Sequence, residues 1–212
     1  ARRPRRPSAA LQLRAGGRRL SLLAAVLAGG EGRRIGGGKP FRLLGGETLL
    51  TRALRIASTW SDDVALVVRD ARPFEAPAGV LLLTDAPGIE GPLAGLAAAL
   101  AAARRRGQAL VQILPCDAPF LPNDLPHRLR EAAAAGVVLP RSGGRLHPAC
   151  GLWPVSVEQP LLSYAAEGGR SLRGLAECVG FGVVDWPNQP DLFANINTQP
   201  ELAAAESRVI SS

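Results

Sequence analysis

The sequence predicts an α/β fold in which helices cover both faces of a mostly parallel, twisted sheet. Runs of aliphatic and β-branched residues have the pattern of buried strands, and they occupy 22–28, 64–68, 80–84 and 109–114. Helical patterns alternate with these runs and occupy 48–59, 92–105 and 123–135. Such alternation is typical of parallel sheets, because the helix that connects two parallel strands must lie on a face of the sheet.

The pattern changes after Gly136, where the predicted elements become shorter. Strands are predicted at 137–140, 148–153 and 181–185, and helices at 157–166, 170–178 and 200–206. The whole chain has 212 residues, of which 47% are apolar and 20% charged. This composition is ordinary for one globular domain with a full hydrophobic core.

The net charge of +7 is concentrated at the start of the chain. Residues 1–19 contain seven arginines and no acidic residue, whereas the remaining chain has 18 basic and 18 acidic residues. We therefore expect residues 1–20 to be a basic, disordered extension and residues 21–212 to form the folded domain. A neutral domain is not expected to bind nucleic acid, and an anion- or RNA-contacting arm is the alternative role for the extension.

Three further features bear on location. Arg18 and Arg19, followed by an apolar run, resemble a twin-arginine export signal, but cleavage there would remove or truncate the glycine-rich loop described next. No stretch is apolar for long enough to span a bilayer, so no membrane association is expected.

The cysteines, Cys116, Cys150 and Cys178, are odd in number and lack metal-site spacing. Buried thiols in the reduced cytoplasm are therefore favoured.

Lys39 is the only lysine among 25 basic residues, which indicates a position that arginine cannot fill. It ends the glycine-rich segment 29–39, which follows the first apolar run and contains Arg34. Backbone N–H groups of such a loop can bind phosphate oxygens, and an ammonium group is a compact partner for phosphate. The dinucleotide fingerprint fails because Ile35 replaces its third glycine, and the P-loop pattern fails at both ends. A surface loop with an incidental lysine is the alternative.

Two aspartates follow predicted strands and are candidate ligands. Asp117, between Cys116 and two nearby prolines, is a plausible magnesium ligand, because magnesium takes one or two carboxylates and leaves its other positions to phosphates and water. Its alternative role is a helix cap or turn. Asp85 is a candidate nucleotide contact or a solvated loop residue. The glycine-rich loop, Asp85 and Asp117 should converge at the carboxyl edge of the sheet.

Taken together, these segments resemble the MobA family, the molybdenum cofactor guanylyltransferases, across most of residues 22–205. The resemblance rests on five ordered motifs: Leu27-Ala28-Gly29-Gly30 with Arg34, Gly36, Gly37 and Lys39; Leu43 to Gly46 before Leu49-Leu50; Gly91-Pro92-Leu93-Ala94-Gly95; Pro115-Cys116-Asp117-Ala118-Pro119; and Asn195-Ile196-Asn197-Thr198-Gln199-Pro200-Glu201-Leu202. It implies a single-domain, Rossmann-like nucleotidyltransferase fold and transfer of GMP from GTP to molybdopterin or its molybdenum-loaded form.

The resemblance also implies roles for individual residues. Lys39, Arg34 and Asp117 would be catalytic, with Asp117 holding Mg²⁺. Nucleotide and substrate binding would involve Leu27, Ala28, Gly29, Lys39, Arg69, Asp85, Asp117, Arg145, His147, Asn195 and Asn197. Arg145 and His147 match a family segment near the pterin-side pocket, and a hairpin turn with an exposed histidine is their alternative. Partners would include GTP, molybdopterin, and molybdopterin-delivering or molybdoenzyme-chaperone proteins.

Two departures from the family pattern concern nucleotide choice. Gly38 stands where the family often has aspartate, and Arg69 stands where it has asparagine. Cytidylyltransferase relatives read Leu-Ala-Ala-Gly in the first loop, whereas Gly29 leaves room for a purine. The alternative functions are therefore a CTP-dependent transferase acting on the same cofactor, a sugar- or polyol-phosphate nucleotidyltransferase, and a non-catalytic nucleotide or RNA binder.

Overall fold

A computed structural model describes residues 21–29, 38–133, 136–187 and 190–210. The strands are β1 (Leu22–Leu27), β2 (Leu43–Leu44), β3 (Glu47–Thr48), β4 (Val64–Val68), β5 (Val80–Thr84), β6 (Leu110–Pro115), β7 (Val137–Ser142), β8 (Arg145–Leu146), β9 (Leu152–Pro154) and β10 (Phe181–Trp186). The helices are α1 (Leu49–Trp60), α2 (Pro92–Arg105), α3 (Leu125–Ala132), α4 (Glu158–Ala166), α5 (Leu172–Val179) and α6 (Gln199–Ile210).

The main sheet has the strand order β10-β7-β9-β6-β1-β4-β5, and β8 pairs with β7. Strands β6, β1, β4 and β5 run parallel to one another. Strand β9 is antiparallel to both β6 and β7, and β10 is parallel to β7. The prediction of a mostly parallel sheet is confirmed, and β2 and β3 form a separate antiparallel pair.

The core has one apolar layer on each face of the sheet. In β1, Leu22, Ala24 and Val26 pack into a layer that includes residues of α1 and α3. Leu23 and Ala25 face the opposite layer, which includes residues of α2, α4 and α5. Successive residues of a strand point to opposite faces, so a strand buried on both sides must be apolar throughout. The predicted cover of helices on both faces is confirmed.

A third, smaller cluster attaches the carboxyl-terminal helix to the domain. Leu44, Leu49, Ile196 and Ala205 are buried together where the β2–β3 hairpin meets α6. Within the described residues, each helix is too short or too polar to cross a membrane.

The strand predicted at 148–153 was wrong in its first half. Residues Pro148–Cys150 form a 3₁₀ helix, and only Leu152–Pro154 pairs as a strand. Pro148 has no N–H to donate to a strand partner, and the N–H groups of Cys150 and Gly151 instead close turns onto the carbonyls of His147 and Pro148. The helix predicted to end at 206 continues to Ile210, and the short β2–β3 hairpin was not predicted.

We expect Gly151→Ala to destabilise the domain. A β-carbon at this position would lie 2.7 Å from Leu139 Cδ2, 2.9 Å from Trp153 Nε1 and 3.1 Å from the Pro148 carbonyl oxygen. Overpacking of a closed core typically costs ~1–3 kcal/mol. Chemical denaturation should therefore show a lower free energy of unfolding. Gly182→Ala is the control, because its β-carbon would meet Val138 Cγ2 only at 3.8 Å; equal stability of the two variants would contradict the prediction.

Candidate active site

The parallel strands carry the candidate residues to one edge of the sheet. The Cys116 N–H donates to the Leu27 carbonyl at 3.1 Å, which joins the end of β6 to the end of β1. The Asp85 N–H donates to the Val68 carbonyl at 2.9 Å, which joins the end of β5 to the end of β4. Ligand sites of open α/β sheets lie beyond this edge. The ends of β1, β4, β5 and β6 therefore lie side by side at this edge, and Lys39, Asp85 and Asp117 follow them in the chain.

Lys39 is the centre of the site. It is only 8% exposed, and its ammonium group forms an ion pair with Asp117 Oδ2 and donates to Asn197 Oδ1 at 2.8 Å. A buried charge is tolerated when it is paired and hydrogen-bonded. The Lys39 ammonium group therefore lies between the anionic oxygen of Asp117 and the neutral oxygen of Asn197, at the carboxyl edge of the sheet.

Local backbone geometry sets the direction of Lys39. Gly38 has a φ of 58°, and Lys39–Phe41 forms one 3₁₀ turn that Pro40 favours at its start. Glycine, asparagine and aspartate are the residues that adopt this left-handed conformation most readily. This property suits Gly38 to the position before Lys39.

A turn before α6 brings Asn197 to Lys39. The Ile196 N–H donates to the Asp117 carbonyl at 2.9 Å, and the Ile196 side chain is buried in the third apolar cluster. The Asn197 N–H donates to Glu201 Oε2 at 2.6 Å. These bonds hold the 196–198 backbone against the loop that carries Asp117. Asn195, by contrast, is exposed and lines an adjacent cleft of about 320 Å³ with Phe120, Ala204 and Arg208.

Asp117 has one oxygen available for a cation. Its side chain is 13% exposed, and Oδ1 is buried without a hydrogen-bond partner among the described residues. A buried acceptor left without a partner is costly, and a bound cation would remove that cost. No group of three or more His, Cys, Asp or Glu side chains within the described ranges could hold a metal ion. A single carboxylate oxygen is compatible with a metal that takes its other ligands from phosphates and water, as Mg²⁺ does.

Gly29, Arg69 and Asp85 form a second group on the other side of β1. A β-carbon on Gly29 would lie 3.3 Å from Asp85 Oδ2 and 3.5 Å from the Arg69 backbone nitrogen. Gly95 in α2 approaches the same carboxylate, since its β-carbon would lie 3.4 Å from Asp85 Oδ1. Burial raises the pKa of Asp85, and the nearby positive charge of Arg69 partly offsets this rise. The two glycines thus leave the space that a partly buried carboxylate occupies.

Arg145 and His147 lie in a third group. The His147 ring stacks on Phe193 at 4.8 Å between centroids, and its Nε2 is buried without a partner among the described residues. Burial lowers the pKa of His147, a hydrogen bond to the Ser142 backbone raises it, and the Arg145 charge lowers it further. His147 is thus half-buried and held by stacking, whereas Arg145 is exposed.

A 3₁₀ helix, Pro148–Cys150, follows His147. The Cys150 N–H donates to the His147 carbonyl at 2.9 Å. Burial raises the pKa of the Cys150 thiol, and the negative charge of Asp117 raises it further. The negative charge of Asp117 is therefore one of the charges that act on the buried Cys150 thiol.

The predicted residues consequently fall into connected groups rather than one cluster. Lys39 contacts both Asp117 and Asn197 directly, Leu27 ends the central strand, and Ala28 follows it. Arg34 lies outside the described residues. Glu201 and Gly95 were not among the predicted site residues, although the Thr198-Gln-Pro-Glu201 spacing of a capping box is readable in the sequence.

Comparisons with known proteins show which proteins the chain is similar to. Residues 24–179 match the family model of the MobA-like NTP transferase domain. A molybdenum cofactor guanylyltransferase of Cereibacter sphaeroides is 36% identical over 189 residues, covering 89% of this chain and 97% of its own. The crystal structure of molybdopterin-guanine dinucleotide biosynthesis protein A from Archaeoglobus fulgidus matches with a TM-score of 0.72 and 26% identity, over 90% of this chain and 100% of its own.

The fold alone is shared more widely. The 2-C-methyl-D-erythritol 4-phosphate cytidylyltransferase of Thermus thermophilus matches with a TM-score of 0.66 at 19% identity, over 90% of this chain and 98% of its own. Nucleotide choice must therefore be argued from side chains at the site and not from the fold.

We expect Asp85→Asn to stabilise the domain at neutral pH. Because folding raises the pKa of Asp85, its stabilising contribution is fully present below the unfolded pKa, ~3.9, and is lost as pH rises through the folded pKa. The variant removes the cost of keeping this charge partly buried. Its free energy of unfolding should exceed that of the wild type at pH 7, and the difference should shrink as pH is lowered towards ~4. A pH-independent difference would contradict this.

Proposed function

The chain belongs to the MobA-like NTP transferase family, and from that premise we propose that it transfers GMP from GTP to the terminal phosphate of molybdopterin. The observation that carries the proposal is the buried Lys39 ammonium group, held by Asp117 and Asn197 at the carboxyl ends of parallel strands. This is where a triphosphate would need a compact, fixed positive charge.

The reaction exchanges one phosphate bond for another. An oxygen of the acceptor phosphate forms a bond to the α-phosphorus of GTP, and the bond from that phosphorus to the bridging oxygen of the β-phosphate breaks. The electron pair leaves with pyrophosphate. A phosphate monoester with a second pKa of ~6 is largely ionised at neutral pH, so the acceptor needs no general base.

The residues of the site act by alignment and charge neutralisation. Lys39 would counter the negative charge that moves onto the departing pyrophosphate, and Asn197 would hold the ammonium group in place. Arg34, in the glycine-rich loop, is a second cation of this proposal on the strength of its sequence position. Asp117 fixes Lys39 through one oxygen and keeps the other for a metal ion.

Mg²⁺ is the metal that suits this donor set. Asp117 Oδ1 is buried and unpartnered among the described residues, and a hard carboxylate oxygen is the kind of ligand that Mg²⁺ prefers. When bound, the ion would neutralise phosphate charge as a Lewis acid. Because Lys39 pairs with Asp117 Oδ2, Oδ1 is the Asp117 oxygen that would bind the ion.

Gly29 and Asp85 support the choice of guanine. A partly buried carboxylate can accept hydrogen bonds from the N1–H and N2 amino groups of guanine, whereas the corresponding edge of cytosine is rich in acceptors. Gly29 keeps that carboxylate in place, because a β-carbon there would approach Oδ2 to 3.3 Å. Arg69, beside them, would contact ribose or phosphate.

The acceptor would lie on the side of His147 and Arg145. A half-buried ring whose Nε2 has no partner among the described residues, next to an exposed guanidinium group, suits an anionic pterin phosphate. Proteins that deliver molybdopterin or receive the product would approach from this side. A cytoplasmic location completes the proposal, supported by the free thiols of Cys116, Cys150 and Cys178.

The proposal is tested by measuring pyrophosphate release from each nucleoside triphosphate in the presence of molybdopterin and Mg²⁺. We expect kcat/KM to be highest with GTP and at least about tenfold lower with CTP, since a donor–acceptor mismatch costs ~1–3 kcal/mol. Equal values would overturn the guanylyl assignment and leave only nucleotidyl transfer. Absence of release with every nucleotide would overturn the transferase itself.

Gly29→Ala should reduce the preference for GTP, because the new β-carbon displaces the Asp85 carboxylate. The control is the same substitution in an Asp85→Asn background, where little preference remains to be lost. If Gly29→Ala acts equally in both backgrounds, it does not work through Asp85.

Lys39→Arg should weaken GTP binding by about tenfold or more although the charge is kept, because a planar guanidinium does not fit the space between Asp117 and Asn197. Calorimetric titration with GTP and Mg²⁺ would measure the loss. Arg55→Lys is the matched control, since Arg55 pairs with Glu47 at 3.1 Å on an exposed face of α1. Wild-type affinity in Lys39→Arg would show that shape does not matter at this position.

A further inference from the structure

Glu201 makes an unusual set of contacts at the start of α6. Its Oε2 accepts hydrogen bonds from the backbone N–H groups of both Thr198, at 2.9 Å, and Asn197, at 2.6 Å. We propose that Glu201 is a positioning residue of the transfer reaction, which acts through Asn197 on the Lys39 ammonium group. The proposal rests on the proposed function.

The bond to Asn197 exceeds what helix capping requires. In a capping box, the glutamate accepts from the N–H of the capping residue, here Thr198, and the capping side chain accepts in return. The return bond is weak in this chain, since the Glu201 N–H lies 3.4 Å from Thr198 Oγ1. The shortest bond goes instead to Asn197, one residue before the cap.

A short path leads from this bond to the reacting charge. The Asn197 N–H is fixed by Glu201, and the Asn197 Oδ1 accepts from Lys39 Nζ at 2.8 Å. The hydrogen bond from Ile196 to the Asp117 carbonyl anchors the same turn on its other side. Loss of the Glu201 carboxylate would free the Asn197 backbone while Asp117 still held Lys39. The Lys39 ammonium group would keep its charge, but Asn197 would no longer fix its position.

Glu206 provides a matched control on the same helix. Its carboxylate also accepts a backbone N–H, that of Gly45, at 3.0 Å to Oε1 and 3.1 Å to Oε2. That bond ties α6 to the β2–β3 hairpin and not to the turn at Asn197. Removal of either carboxylate thus breaks a bond of the same type, and only one of them holds Asn197.

The experiment compares Glu201→Ala and Glu206→Ala by pyrophosphate release and thermal unfolding. We expect Glu201→Ala to lower kcat about ten- to a hundredfold, the scale on which misplaced groups lose catalysis, and Glu206→Ala to keep the wild-type kcat. Glu201→Gln should recover most of the activity, because its amide oxygen still accepts both N–H groups. Equal kcat values for the two alanine variants would overturn the proposal.

A double variant separates positioning from stability. In an Asn197→Ala background, Glu201→Ala should cause little further loss of kcat if it acts through Asn197. A purely structural role would give losses that multiply, which would overturn the proposal.

Calorimetric binding of inorganic triphosphate with Mg²⁺ distinguishes a wrong positioning role for Glu201 from a wrong assignment of the transferase function. Inactive wild-type protein would refute the transferase. Even if the wild type is inactive, a wild-type affinity for triphosphate in Glu201→Ala would refute the positioning role. A roughly tenfold loss of this affinity in Glu201→Ala, absent from Glu206→Ala, would support the positioning role.

Discussion

The buried ammonium group of Lys39 is the interaction on which the arrangement of the site depends. Its partners Asp117 and Asn197 are 78 and 158 residues away in sequence. A charge with so little exposure needs partners in fixed places, and each partner is fixed by its own backbone contacts. The lysine therefore joins the first loop, the loop after β6 and the turn before α6 into one unit.

That unit is possible because the centre of the sheet is rigid. Strand β1 pairs in parallel with β4 on one side and β6 on the other, and its residues are buried on both faces. Close-packed interiors have low compressibility, so their strands shift little relative to one another. The loops that follow these strands consequently begin from fixed points, and short hydrogen bonds between strand ends set their separation.

The three acidic residues of the site occupy different environments, which suits different roles. Asp85 is partly buried, and this burial raises its pKa. Glu201 is exposed, and backbone N–H groups of Asn197 and Thr198 lower its pKa. Asp117 shares one oxygen with Lys39 and keeps the other unpartnered among the described residues. In the proposed function, Asp85 would read the base, Glu201 would hold the backbone and Asp117 would bind a cation.

The parallel sheet, the layers of helices and the candidates Lys39, Asp85 and Asp117 could be predicted from sequence patterns, because strand periodicity and polar residues at strand ends are local signals. The bond from Lys39 to Asn197, the bond from Asn197 to Glu201 and the close approach of Gly29 to Asp85 became evident only in the folded molecule. Some of these contacts join segments that are far apart in sequence, and one joins backbone to side chain across a turn. In both cases packing sets the distance between the groups. No local pattern encodes the distance between two loops that meet only after the sheet has formed.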